Sequence, residues 1–232
     1  MSRLRICFLG SGEKPEVIQE LLEGYSSFYR LVKGEYVFAN SGEMEDDFHR
    51  NLRGSWEEEE EEKIKNHGSV FIVESLPYSP EDGIARSLEG LRLIRSLLIN
   101  GVLAAKVEGS KSTFSGKVWS ELAQEADDAE EHGDRERLSK LLAFALVRRG
   151  VAGDYYYETL GYHFLGLPEI YIPLASIEAS EVFELTEQVT EDILTFGIEH
   201  ILEEYRAEWE EDLTFSESEV EYNPYGVIYL TE

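Results

Sequence analysis

A chain of 232 residues with 42% apolar and 12% aromatic side chains has enough material to bury a core, which excludes general disorder. Its 48 acidic against 21 basic side chains leave a net charge of −27, which argues against a phosphodiester backbone or an anionic membrane as partner, because binding there depends on Lys and Arg. The single cysteine, Cys7, excludes an internal disulfide and a cysteine metal site, as suits a reducing compartment.

The run LRICFLG (residues 4–10) reads as a buried strand, too short for a secretory core. No later segment stays apolar long enough to span a membrane, so a cytoplasmic chain is expected. Pro15 suits the first turn of a helix running to about Gly24. EYVFAN (35–40) and SVFIVES (69–75) read as further strands. Between them the acid-rich block 43–62, with six consecutive glutamates at 57–62, reads as a mobile solvated loop. Trp56 is the one residue there that a solvated run does not need. Ser79 as N-cap and Pro80 at the first helical position open a helix in which Ile84, Leu88, Leu91, Ile94 and Leu98 recur at helical spacing, ending at Asn100 and Gly101. VLAAKVEG (102–109) follows as a strand. The first half thus reads β-α-β-β-α-β, the order of a ferredoxin-like split unit.

In the second half, a helix over 117–131 places Val118, Trp119, Leu122 and Ala126 on one face, and a short helix covers 134–140. Strands are expected over 142–149 and 155–164, joined by the turn GVAGD, with EIYIP as a brief extended segment able to cover a sheet edge. A long amphipathic helix over 180–209 turns Val182, Leu185, Val189, Ile193 and Phe196 inward, and 225–230 closes as a strand. The expected fold is α+β, with two lobes at 1–109 and 110–232, each a mostly antiparallel sheet with helices on one face. One continuous domain is the alternative.

No catalytic motif keeps its spacing. LGSGEKP has Gly10 and Gly12 but Pro15 where a dinucleotide loop needs its third glycine. In EGSKSTFSGKV the glycines stand too far apart for a phosphate loop, and Val118 takes the place of a magnesium-holding hydroxyl. His49, His67, His132, His163 and His200 show no paired helical spacing, so neither metal nor cofactor is expected. Cys7 reads as a small buried apolar residue.

The stretch GDYYYETLGYHFLGLPEIYIP (153–173) concentrates aromatics and glycines. Strand alternation sets Tyr155, Tyr157 and Thr159 on one side and Tyr156, Glu158 and Leu160 on the other. Its plainest role is an aromatic hairpin sealing the second lobe. Its functional reading is a binding surface of Tyr155, Tyr157, Tyr162 and His163, joined by Glu208, Glu210 and Glu211 from an acidic tract. That combination suits a basic protein partner, as when an immunity protein neutralises a bacterial toxin. The alternatives are a small hydrolase or transferase with a site near Tyr157, His163 and Glu169, and a structural or assembly subunit.

The runs AAKVEGSKSTFSGKVWSEL and LLAFALVRRGVAGDYYYETLGYHFLGLPEIYIP resemble the bacterial domain of unknown function 4261 over about residues 101–205. Trp119, Gly161, Phe164, Gly166, Pro168 and Glu169 match its pattern. The chain departs from it at Thr113 and Phe114, where a histidine is expected, and at Tyr162, where Met is expected. That family has no established activity, so the resemblance implies a fold relative only.

Overall fold

Ile6 and Phe8 alternate with Cys7 and Leu9 along β1 (Arg5–Gly10), which gives the strand two apolar faces, and both are covered. The computed structural model describes residues 1–38, 42–205, 207–210 and 223–230, with the side chains of 209 and 210 outside the description. β1 pairs antiparallel with β3 (Ser69–Ser75) and β4 (Ala104–Val107), and β2 (Tyr29–Val37) pairs antiparallel with β3, giving the order β2-β3-β1-β4. On one face Ile6, Phe8, Phe71 and Val73 meet Ile18 of α1 (Pro15–Leu21) and Leu91 and Ile94 of α4 (Gly83–Ile99).

The opposite face carries the first correction. The block expected as a mobile loop forms α2 (Gly42–Asn51) and α3 (Glu58–Lys65). Phe48 and Ile64 pack with Trp56 against Cys7, Leu9 and Ala104. The glutamates are compatible with a helix because they fill its first turn, at the positive end of its dipole, and because Glu59–Lys63 (2.7 Å) and Glu61–Lys65 (2.8 Å) pair one turn apart. The chain order is therefore β1-α1-β2-α2-α3-β3-α4-β4, and the two helices interrupt the expected succession. β2 also starts earlier than expected; residues 39–40 of the proposed strand lie outside the described residues.

In the second half α5 (Gly116–Glu131) forms as expected, with the Ser115 hydroxyl accepting from the Val118 amide. α6 (Arg135–Leu146) runs further than expected, because Leu138, Leu142, Ala145 and Leu146 form one buried helical stripe. The supposed strand over 142–149 is mostly that helix, and β5 is Arg148–Ala152. The turn shifts to residues 153–155. β6 (Tyr156–Leu160) stops at Gly161, whose φ of +106° ends the extended run, and residues 162–165 make a 3-10 turn closed by Gly166 at φ +80°.

β7 (Glu169–Pro173) covers no edge and lies at the centre of the second sheet, whose order is β5-β6-β7-β9-β8. β9 (Val227–Leu230) runs parallel to β7, and β8 (Ala207–Glu210) runs antiparallel to β9. The long helix breaks at Gly197, φ +88°, into α7 (Val182–Phe196) and α8 (Ile198–Glu204), which leaves Phe196 exposed. One buried apolar cluster runs unbroken from Ile6 and Phe8 through Leu91, Trp119 and Leu142 to Ile170, Ile172 and Ile228. Among the described residues, no helix is long and apolar enough to cross a membrane.

Candidate functional site

The hairpin end of the second sheet brings two of the expected residues, Tyr162 and His163, to the carboxylate of a third, Glu169. Glu169 begins β7 and is 5% exposed. Its Oε1 accepts from the amides of Gly161 and Tyr162, both at 3.0 Å, and from Asn223 Nδ2 at 3.3 Å. Its Oε2 accepts from Thr159 Oγ1 at 2.7 Å, and that hydroxyl accepts from the Ile170 amide at 2.8 Å. His163, 4% exposed, places Nδ1 3.2 Å from Glu169 Oε1. The left-handed Gly161 is what swings these amides onto the carboxylate.

Tyr162 is buried and its hydroxyl bonds to Thr190. Burial pushes that phenol well above the usual tyrosine range, so it stays protonated and serves as no base. Tyr157, half-buried, lies on the core face opposite Ile172. Chemically, the cluster ties the β6 turn to β7, and it holds one His–carboxylate pair.

The other face of the same sheet carries a group that sequence reasoning passed over. Tyr156, Tyr171 and Tyr229 come from β6, β7 and β9, with ring centroids 5.7, 5.5 and 5.6 Å apart. Strand register places Glu158 beside Tyr171 and Glu208 beside Tyr229, on the face away from Ile170, Ile172 and Ile228. Tyr156, Glu158 and Tyr229 are half-buried and Glu208 is exposed. Tyr155, on the adjacent turn, is 77% exposed. Burial, then the nearby Glu169 and Asp154 charges, push the Glu158 carboxyl above its usual range.

Of the expected acids, Glu208 joins this face; the Glu210 side chain and Glu211 lie outside the described residues. The available signal was the alternation that set Tyr156 with Glu158, but Tyr171 and Tyr229 join them only through strand pairing.

Away from this sheet, the Lys106 ammonium is buried and paired with Asp47 and with Glu108 at 3.0 Å, beneath α2. Cys7, its register neighbour, is buried, and desolvation pushes its thiol up to about 12, so it is no nucleophile at neutral pH. No cluster of three or more His, Cys, Asp or Glu arranged to hold a metal occurs among the described residues. No family model matches the chain, and neither a curated protein nor a solved structure matches it.

Proposed function

We propose that the chain is a binding protein for a cationic protein partner, received on the tyrosine face of the second sheet. The observation that carries this reading is the pair of half-buried rings Tyr156 and Tyr229, backed by the buried Tyr171 and flanked by Glu158 and Glu208, beside the exposed Tyr155. Tyrosine supplies contact area at small entropy cost and a π-face for Lys or Arg. The carboxylates and the net charge of −27 accelerate encounter with a basic surface. A cation against Glu158 would also offset the repulsion that Glu169 and Asp154 impose on it.

The test is capture from native lysate at low and high salt, followed by binding kinetics of the captured partner. Glu158→Gln with Glu208→Gln should slow association and flatten its salt dependence, whereas Tyr156→Ala should speed dissociation at a cost of about 2 kcal/mol. Salt-insensitive capture that neither variant alters would overturn the reading.

The His163–Glu169 contact favours a second reading, a small hydrolase or transferase using that pair for proton transfer near Tyr157. A panel of ester and phosphoester substrates tests it, with His163→Gln expected to abolish turnover while the fold persists. For the fold, we read the first lobe as a ferredoxin-like split unit with α2 and α3 inserted, supported by the antiparallel order β2-β3-β1-β4. Kinship with domain of unknown function 4261 is proposed likewise, on the turn built by Gly161, Phe164, Gly166 and Glu169.

A further inference from the structure

In a chain where acids outnumber bases 48 to 21, three arginines gather where the end of α2 meets the junction of α6 and β5. Arg53 Nη1 donates to the carbonyl of Phe144 at 2.6 Å and lies 3.5 Å from that of Val147. In the reverse direction, Arg148 Nη1 donates to Asn51 Oδ1 at 2.9 Å. The two segments therefore clasp each other with one guanidinium from each side. Among the described residues, neither Arg53 nor Arg148 has a carboxylate oxygen within 4.0 Å. Arg149 Nη1 donates to Glu187 Oε1 at 3.4 Å, and its guanidinium lies over the Phe183 ring.

Arg53 has an evident structural duty. It stacks on Phe114 and Phe144 and covers carbonyls at the C-terminal end of α6, where a cation is favoured. That duty explains neither Arg148 nor Arg149, and it uses only Nη1 of a five-donor fork. Three like charges in partial burial repel one another. Burial, then Arg149 and Arg148, hold the Arg53 guanidinium down to about 10.

We propose that Arg53, Arg148 and Arg149 form a binding site for a phosphate group, free or as a monoester. Guanidinium forks match tetrahedral oxyanions in pairs, and a dianion answers several positive charges better than one carboxylate does. The ion pairs point the same way, for among the described residues the abundant carboxylates leave Arg53 and Arg148 unmatched. Of the three arginines, Arg149 opens onto a cleft of about 510 Å³ beside Phe144, where Arg137 and Lys140 stand among four carboxylates. An exposed Phe144 edge at this cleft offers a contact for the group esterified to the phosphate. This inference stands apart from the cationic partner, which uses the other region of tyrosines and glutamates.

The experiment is thermal melting and titration calorimetry of the full chain with inorganic phosphate and with phenyl phosphate, against chloride at equal ionic strength. Phosphate should raise the melting temperature above the chloride control, and Arg148→Gln should weaken binding at least tenfold. Arg95→Gln, whose partner Asp127 lies elsewhere, should bind as the parent does. Arg148 is the chosen variant because removing Arg53 also uncovers the end of α6. Tighter binding of phenyl phosphate assigns a monoester; equal or weaker binding assigns free phosphate. The proposal fails if phosphate gives no shift beyond chloride, or if Arg148→Gln binds as tightly as the parent.

Discussion

A Cβ placed on Gly83 would stand 2.6 Å from the amide nitrogen of Gly166, so the first turn of α4 and the turn after β6 meet backbone to backbone. Ser87 Oγ and Tyr78 OH both donate to the Phe164 carbonyl across the same seam, at 2.8 and 3.2 Å. Part of what holds the aromatic stretch in place thus belongs to the other half of the chain.

Gly166→Ala should cost about 2–4 kcal/mol, since it adds a close approach to Pro80 to the strain of a positive φ. Gly133→Ala, also at positive φ but with open space around it, should cost only about 1 kcal/mol. Urea unfolding of both variants measures the difference, and a similar loss in each would mean that the seam is loose.

Glu169→Gln should destabilise by about 2–3 kcal/mol, because one carbonyl oxygen cannot accept from Gly161, Tyr162 and Thr159 together, and an amide NH₂ would face donors. Thr159→Val should follow in the same direction with a smaller loss, about 1 kcal/mol. Parent-like unfolding midpoints in both variants would refute the tie between β6 and β7.

Glu158 should reveal itself through pH. Its folded carboxyl sits above the ordinary value of 4.5, so in that window the folded state holds more proton than the unfolded, and stability falls as pH rises through it. Glu158→Gln should therefore raise the melting temperature at pH 7, and the gain should vanish in acid below the ordinary glutamate range. A gain that persists there would implicate packing in place of charge.

The glutamate run at 57–62 should prove necessary to the fold. Glu60 Oε1 accepts from the Gly116 amide at 2.6 Å, at the start of α5. Glu60→Ala should cost about 1 kcal/mol, as other lost helix caps do. Deleting the whole run should cost far more by uncovering Cys7 and Leu9, so Cys7 should resist a disulfide reagent in the native chain and react in that deletion.

Where an element buries its own periodic side chains, its letters alone identify it. β1, β3, α4 and α5 are such elements, because a period of two or of 3.6 is a local consequence of one covered face. LLAFALVRR was apolar at nearly every position, so its period was ambiguous until α6 packed on its neighbours and left the strand to begin at Arg148. In and just after the 43–62 block, charge concealed Phe48 and Ile64, two side chains whose burial against β1 sufficed to organise helices. Other features had no local expression at all. Tyr156, Tyr171 and Tyr229 meet only through strand register, and Arg53 and Arg148 only through the clasp between α2 and β5. Composition and charge indicated the kind of partner to consider. Which side chains share the proposed binding face was decided by pairing between distant segments, whose free energy resides in contacts that neither segment contains by itself.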